Sequence, residues 1–284
     1  MNEQLIAKIS ALAVESILFE VSAAPKPGLV TPYSNGAHRD MNYFTFLSSA
    51  AALHNCFDEM IYQGFVYREQ PIKELLTPLR ISGMKYEKLM FEFTKGINTH
   101  KGMIFSIGLL CGCIGWGYGK ETITPDYICQ LVARMCAGIC EREYQGLDKK
   151  EKLTKGEQMY VKYGCTGARG EAESGYKTIG TVSLPKYREL RKLPIPVNDA
   201  LVQTLLHLVA ETNDTNIIAR HDYEASVYAK KCAARAIYLG GILTDAGKSY
   251  IKDMEEDFIT RYISPGGCAD LLAATHFLYS LSEE

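Results

Sequence analysis

The stretch LIAKISALAVESILFEVSAAPKPGLV, residues 5–30, shows how this chain is built. Its apolar residues recur at intervals of three to five, which is typical of an amphipathic helix. They are Leu5, Ile9, Leu12, Ile17 and Val21. Pro25 and Pro27 have no backbone N–H donor, so the helix is expected to end before them. The residues up to Gly36 are rich in turn formers and predict a loop.

Helical patterns of the same kind recur along the rest of the chain. They cover residues 43–62, 72–93, 102–116, 125–144, 155–163, 168–178, 198–211, 223–252 and 269–281. Alternating runs of β-branched residues are nearly absent, and no strand–helix unit recurs. No fixed-period repeat and no Pro/Gly/Ser linker divides the chain. The sequence therefore predicts an all-α fold in a single domain that spans residues 1–284.

The composition is that of a soluble globular protein. Among 284 residues, 31 Lys+Arg stand against 33 Asp+Glu, a formal net charge of −2 that argues against general nucleic-acid binding. The longest apolar stretch, 103–116, is shorter than the ~20 residues that span a bilayer and contains three glycines, so no membrane association is expected. The N-terminus shows no secretion signal, and a cytoplasmic location is expected.

The nine cysteines show neither C-x-x-C spacing nor a complete zinc motif. Cys129, Cys136 and Cys140 have the spacing of one helical stripe, on which free thiols behave as small apolar groups. We therefore expect reduced cysteines in the core.

Polar residues suited to chemistry concentrate in five segments beside Gly or Pro. These segments are 25–41, 98–102, 164–175, 214–222 and 264–270. The first carries Lys26, His38 and Asp40. The second, Asn98-Thr-His-Lys-Gly102, precedes a predicted helix, whose N-terminus attracts anions, so Lys101 could face a phosphate. The alternative for this segment is an N-cap followed by a solvated lysine.

The third segment places Arg169, Glu171 and Glu173 among four glycines. Arg169 and Glu173 have the i, i+4 spacing of a helical salt bridge, which is the structural alternative to a functional role. Glu171 would then point elsewhere. A carboxylate beside a glycine is a candidate metal ligand or general base.

The last two segments repeat this mixture of groups. Asp214, Asn216 and Arg220 offer a carboxylate, an amide and a guanidinium, and the alternative is an Asx turn in which Asp214 caps a helix. Ser264-Pro-Gly-Gly predicts a tight turn, with Asp270 in the first turn of the last helix. Residues 241–249 look like a phosphate loop, but five residues separate the glycines instead of four and no strand precedes them.

These segments, in this order, resemble the triphosphoribosyl-dephospho-coenzyme A synthase family, which makes the prosthetic-group precursor of citrate lyase or malonate decarboxylase. The matching strings are PKPGLV (25–30), GAHRDM (36–41), NTHKG (98–102) with Phe105, GARGEA (167–172) after Tyr163-Gly164, DTN (214–216) with Arg220, and SPGG (264–267) with ADLL (269–272). There are departures: His221-Asp222 stand where the family has glycines, and Tyr262-Ile263 replace its usual residues before Ser264.

The resemblance implies an all-α fold, with ATP and 3′-dephospho-CoA as substrates and adenine as the released product. Glycosyl transfer through an oxocarbenium-like state needs a base, an acid and carboxylates near the positive charge. It also needs cations for the triphosphate, so Mg²⁺ is expected with ATP.

The residue roles stay open, but the preferred assignment has three parts. It places Glu171 and Asp214 at Mg²⁺ or the reacting ribose, Lys101, Arg169 and Arg220 on the triphosphate, and Asp40 or His38 in proton transfer. Lys26, His100, Asn216 and Asp270 complete the expected substrate site.

Two other functions are compatible with the same residues. A helical Mg²⁺-dependent ADP-ribosyl-type glycohydrolase would use water as the acceptor. A non-catalytic module would bind nucleotide or CoA without turnover. For a synthase, the resemblance implies that the product passes to a holo-acyl-carrier-protein synthase of the lyase system. The pathway and the oligomeric state do not follow from the sequence.

Overall fold

The computed structural model describes residues 1–147 and 152–283, and within these ranges its regular structure is helical without strands. This confirms the all-α prediction. The helices are α1 (Glu3–Ser22), α2 (Tyr43–Ala52), α3 (Cys56–Val66), α4 (Leu76–Phe93), α5 (Lys101–Gly117), α6 (Pro125–Cys136), α7 (Ile139–Tyr144), α8 (Lys155–Tyr163), α9 (Gly167–Glu173), α10 (Leu184–Arg191), α11 (Val197–Glu211), α12 (Thr215–Arg220), α13 (Tyr223–Tyr238), α14 (Asp245–Arg261) and α15 (Gly266–Ser282). Short 3₁₀ turns lie at Ile72–Leu75 and Gly241–Leu243, and a π-turn lies at Ile179–Ser183. The predicted domain 1–284 includes residues 148–151 and 284, which lie outside the described residues.

Helix α5 runs through the core and is buried from Met103 to Gly117 on nearly every face. Glycines let α3 approach it closely: a Cβ atom on Gly64 would lie 1.9 Å from the carbonyl oxygen of Gly112, and one on Gly115 would lie 2.0 Å from that of Ile61. Any side chain at these positions would force the two backbones apart. The sequence-based expectation of a buried helix with close neighbours is confirmed.

Three predicted helices are each divided in two. The predicted helix 43–62 breaks between α2 and α3, and 125–144 breaks at Gly138, whose φ is 75°. The predicted helix 223–252 breaks at Gly240 and Gly241, with φ of 96° and 60°. A positive φ ends an α-helix, and glycine adopts it without steric cost. The prediction of single helices was wrong there, and the short helices α10 and α12 were not predicted.

The break at Gly138 also changes the cysteine stripe. Cys129 and Cys136 lie on α6, whereas Cys140 lies on α7, so one continuous stripe does not form. All nine cysteines are free, and burial raises the pKa of the Cys136 thiol to about 12. Across the described ranges, no helix combines the length and apolarity needed to cross a membrane.

Candidate active site

A polar cleft of about 340 Å³ opens where the loop between α1 and α2 meets the N-termini of α5, α9, α12 and α15. Each of the five polar segments contributes to its wall. The predicted site residues that line it are Lys26, His38, Lys101, Arg169, Asn216, Arg220 and Asp270. Residues distant in the sequence are therefore brought to one place by the helix packing.

The N-terminus of α5 faces the carboxylate of Asp270. A Cβ atom on Gly102 would lie 1.9 Å from Asp270 Oδ2, so glycine is needed for this approach. Desolvation, together with the negative charges of Glu20 and Asp214, raises the pKa of Asp270 well above its ordinary range. Helix α15 begins at Gly266 and has no acidic residue in its first turn, so the prediction that Asp270 lies in that turn was wrong. A carboxylate of high proton affinity lies beside the start of α5.

Lys26 and Glu20 form a buried ion pair in the wall of the cleft. Lys26 is 1% exposed, and its ammonium donates to Glu20 Oε1 and to the carbonyl oxygen of Glu20 at 2.5 Å. Desolvation lowers the pKa of Lys26, although Glu20 opposes this shift. Lys26 thus lines the cleft with its charge already compensated.

Glu20 was missed from the sequence because it lies inside the helical pattern of α1. It follows Ile17 by three residues, which places it on the buried face of the helix. A carboxylate on a buried face is the feature of the sequence that could have identified Glu20 as a candidate site residue. The side chain is buried and lines the cleft.

His38 connects two other elements of the site. Its Nε2 lies 2.9 Å from Ser264 Oγ, and its Nδ1 lies 3.3 Å from Arg220 Nη2. Because arginine only donates, Nδ1 accepts and the proton of the neutral ring is on Nε2, where it is donated to Ser264. Desolvation and the charge of Arg220 lower the pKa of His38 to about 4. His38 is therefore neutral near pH 7 and holds Arg220 at the cleft.

Four predicted site residues lie off the cleft wall: Glu171 and Asp214, which line a second cavity, and Asp40 and His100. Asp40 Oδ1 is 3.9 Å from His38 Nδ1, but its side chain is 66% exposed at the rim. His100 is fully buried behind the wall, where Nδ1 lies 2.7 Å from Ser49 Oγ. Its Nε2 has no hydrogen-bond partner among the described residues. Desolvation and the charge of Lys26 lower the pKa of His100 to about 3.

The mouth of the cleft carries two cations on opposite helices. Lys101 Nζ is 2.5 Å from Glu87 Oε1 and its side chain is 54% exposed. Arg169 forms an ion pair with one carboxylate oxygen of Glu143, and Arg80 forms an ion pair with the other. These contacts hold positive charge at the start of α5 and α9, where the helix dipoles add to it.

The expected alternative for Arg169, an i, i+4 bridge to Glu173, is wrong. Glu173 Oε1 instead accepts the backbone N–H of Gly138 at 2.6 Å. The contact caps the turn into α7. Arg169 pairs with Glu143 on α7 instead and lines the cleft.

Glu171 and Asp214 line a second cavity of about 550 Å³, which shares Thr215, Asn216 and Asp270 with the polar cleft. Glu171 Oε1 accepts from Thr178 Oγ1 at 2.5 Å, while its Oε2 is buried and has no partner within the described ranges. Desolvation raises the pKa of Glu171.

Asp214 is the N-cap of α12 and also joins it to α15. Oδ1 accepts the N–H groups of Asn216 at 2.7 Å and Ile217 at 3.3 Å, and Oδ2 accepts that of Cys268 at 2.8 Å. The capping alternative is therefore confirmed for this residue. Desolvation raises the pKa of Asp214 in spite of these bonds.

The two departures from the family pattern contact each other. His221 Nε2 lies 2.9 Å from the carbonyl oxygen of Tyr262, which has a φ of 60°. Asp222 caps α13 by accepting the N–H of Ala225 at 2.8 Å. A Cβ atom on Gly28 would lie 2.0 Å from the carbonyl oxygen of Ile263, so this region also packs against the loop after α1.

No group of three or more His, Cys, Asp or Glu residues in the described part of the chain is arranged to hold a metal ion. What the cleft itself offers is helix N-termini and cations that suit a polyphosphate, beside the carboxylates Glu20 and Asp270.

Comparison with known proteins gives consistent matches. The family model described as ATP:dephospho-CoA triphosphoribosyl transferase matches residues 6–284. A Klebsiella pneumoniae protein named 2-(5''-triphosphoribosyl)-3'-dephosphocoenzyme-A synthase is 39% identical over 268 residues, covering 94% of this chain and 88% of that protein. A Photobacterium profundum protein, named as a probable synthase of the same kind, is 39% identical over 276 residues, covering 97% and 88%.

A crystal structure from Archaeoglobus fulgidus, provisionally assigned as a triphosphoribosyl-dephospho-CoA synthase, aligns with a TM-score of 0.47 and 17% identity over 82% of this chain and 96% of that one. The family model and the curated relatives match nearly the whole chain. This chain therefore belongs to the ATP:dephospho-CoA triphosphoribosyl transferase family.

Proposed function

We propose that this protein transfers the triphosphoribosyl group of ATP to 3′-dephospho-CoA and releases adenine, with the polar cleft as its active site. Membership of the transferase family supports the reaction. The cleft supports the substrate class, because Lys101, Arg169 and Arg220 line it together with the start of α5, whose N-cap His100 makes no side-chain cap. This convergence of cations on a helix N-terminus is the observation that carries the proposal.

The reaction forms a bond between a ribose hydroxyl oxygen of dephospho-CoA and C1 of the ATP ribose. The bond from C1 to the adenine nitrogen breaks, and its electron pair leaves with adenine. The hydroxyl proton passes to a base, and adenine is protonated as it departs. The triphosphate stays attached to the transferred ribose, so its binding groups are needed throughout.

Carboxylates in the cleft suit the charge that develops on the ribose. Asp270 lines the cleft beside the start of α5, and in its ionised form it would stabilise an oxocarbenium-like state or accept the proton of the acceptor hydroxyl. Glu20 lines the same cleft, with its charge paired to Lys26. Proton transfer by His38 or Asp40 stays a prediction. The lone pair of His38 faces Arg220, and Asp40 lies at the exposed rim.

Mg²⁺ is part of the proposal through ATP. Glu171 fits a metal because its Oε2 is buried without a partner in the described ranges. Asp270 fits because it lies where the two cavities meet. Asp214 fits less well, since its oxygens already accept three backbone N–H groups. A bound Mg²⁺ would neutralise triphosphate oxygens that the cations do not reach.

The test is to incubate the purified protein with ATP, Mg²⁺ and dephospho-CoA, and to measure adenine and the mass of the product. Adenine should appear in equal amount to a product that carries the intact triphosphate. Adenine release that does not need the acceptor would instead favour the glycohydrolase, and binding without turnover would favour the non-catalytic module. Asp270→Asn should abolish adenine release, whereas Asp253→Asn, on the exposed face of α14, should leave it unchanged.

Transfer of the product to a holo-acyl-carrier-protein synthase, and a cytoplasmic location, stay predictions.

A further inference from the structure

An apolar groove of about 890 Å³ lies between α4 and α5, beside the polar cleft. Lys101, Gly102, Ala168 and Arg169 line both cavities, so the groove and the cleft share one wall. The lining from α4 follows a helical stripe that includes Leu79, Gly83, Met84, Glu87 and Phe91. Side chains Phe105 and Leu109 of α5 form the facing wall.

The groove is open to solvent although its walls are apolar. Met84 is 57% exposed, which is unusual for a large apolar side chain that lines a concave surface. Concave apolar surfaces with a few polar groups at one end are typical of small-molecule sites. Here two ion pairs lie at or beside the shared wall, Lys101 with Glu87 and Arg169 with Glu143. Arg80, Lys88 and Glu92 also line the groove.

Gly83 is not explained by packing. It lies inside α4, where glycine is less favourable than alanine by roughly 1 kcal/mol. A Cβ atom there would meet only Met60 Cε at 3.7 Å and Ile104 Cγ2 at 4.0 Å, which are ordinary contacts. Gly108 differs, because its Cβ atom would lie 2.3 Å from Met60 Sδ. The effect of glycine at position 83 is therefore to widen the groove.

We infer that this groove binds the pantetheine arm of dephospho-CoA, an inference that rests on the proposed function. The acceptor reacts at its ribose, and a diphosphate joins that ribose to the arm. With the ribose in the cleft, the diphosphate crosses the shared wall beside Gly102 and Ala168, and the arm enters the groove, while Lys101 and Arg169 remain with the triphosphate of ATP.

The length and chemistry of the arm match the groove. The arm has about as many chain atoms as four residues of extended peptide, or roughly 14 Å. From Glu87 at the shared wall to Leu76 at the far end, α4 rises about 16 Å. The gem-dimethyl and methylene groups of the arm suit apolar walls, and Arg80 and Glu87 offer partners for its amides and hydroxyl.

The experiment fills the groove and compares two acceptors. Gly83→Phe should raise the KM for dephospho-CoA at least tenfold and change the KM for ATP less than twofold. With ADP, which has the ribose and the diphosphate but no arm, the variant and the unmodified protein should react equally. The matched control is Ile81→Phe, which puts the same side chain on α4 at a 60% exposed position outside the groove.

A second variant guards against misfolding. Met84→Glu adds a charge to the groove at an exposed position. It should also raise the KM for dephospho-CoA and leave the KM values for ATP and ADP unchanged. Unchanged KM for dephospho-CoA in both variants, or an equal rise for ADP, overturns the inference. The inference is also overturned if the variants change the oligomeric state while the KM for dephospho-CoA stays the same, because the groove would then be an interface between copies of the chain. If the unmodified protein releases no adenine, the proposed function itself has failed.

Discussion

The ammonium group of Lys26 is buried against the carboxylate of Glu20, six residues before it, in the wall of the polar cleft. The end of α1 and the loop that follows it are thereby joined at one point. Both side chains are at most 3% exposed, so neither charge can turn to water if its partner is removed.

Replacing one member of this pair should destabilise the protein strongly. Glu20→Gln leaves a buried ammonium without its counter-charge and should lower the free energy of unfolding by about 3–5 kcal/mol. The double variant Glu20→Gln with Lys26→Met should recover much of that loss, because no charge remains buried. Urea denaturation at pH 7 measures both. A single variant within about 0.5 kcal/mol of the unmodified protein would contradict the prediction.

His100 should make stability depend on pH. Its pKa is about 3 in the folded state, against an ordinary value of 6.5, so the unfolded chain binds the proton more readily. The free energy of unfolding should therefore fall as the pH decreases below about 6.5, by up to about 1.4 kcal/mol per pH unit, with no loss above that pH.

The variant His100→Gln removes this contribution. Between pH 6 and pH 4.5 its unfolding free energy should depend less steeply on pH, while the contributions of His38 and His276, whose pKa values are each lowered to about 4, remain. Urea denaturation across this range gives the slope. An identical slope in both proteins would show that His100 does not titrate in this way.

Arg169 should contribute to ATP binding through the cleft. Arg169→Ala should weaken ATP binding by roughly ten- to a hundredfold, since hydrogen bonds to charged groups contribute about 1.5–3 kcal/mol. Glu143→Gln should have a smaller effect, because it loosens the guanidinium without removing it. Calorimetric titration with ATP measures both variants.

The control for Arg169 is Arg235→Ala. Arg169 lies over the ring of Tyr144, and Arg235 likewise lies over that of Tyr238, but at an exposed position outside the cleft. It should bind ATP normally. Normal binding by Arg169→Ala, combined with a much lower melting temperature, would assign Arg169 a structural role.

Substitutions at Glu171 and Asp214 should differ in their effects on turnover and stability. Glu171→Gln should reduce adenine release by orders of magnitude at an unchanged melting temperature, because Oε2 has no hydrogen bond to lose among the described residues and the amide can still accept from Thr178. Asp214→Ala should cost about 1–2 kcal/mol of stability through the lost cap. Adenine release and melting temperature are measured together. Near-normal turnover of Glu171→Gln would remove that residue from the catalytic set.

The sequence by itself determined the helical class and most of the helices. Apolar periodicity reports which face of a segment can be buried, and it predicted α8 and the ends of α1 closely. It did not predict the breaks at Gly138 and Gly240, because an isolated glycine costs a helix only about 1 kcal/mol and the surrounding packing decides whether the helix continues. Short helices such as α12 carry too little periodicity to be seen.

The sequence also identified the five segments that meet at the polar cleft, since Gly and Pro beside Lys, Arg and Asp mark them without any contact information. Only the tertiary structure decided what each side chain does there. In the folded chain, Arg169 pairs with Glu143, His100 is buried behind the cleft wall, and Glu20 lines the cleft. The physical reason is the distance along the chain over which each property is decided. Helices and loops depend on the pattern of neighbouring residues. Charge pairing and burial depend on segments that are distant in the chain and meet only when the helices pack.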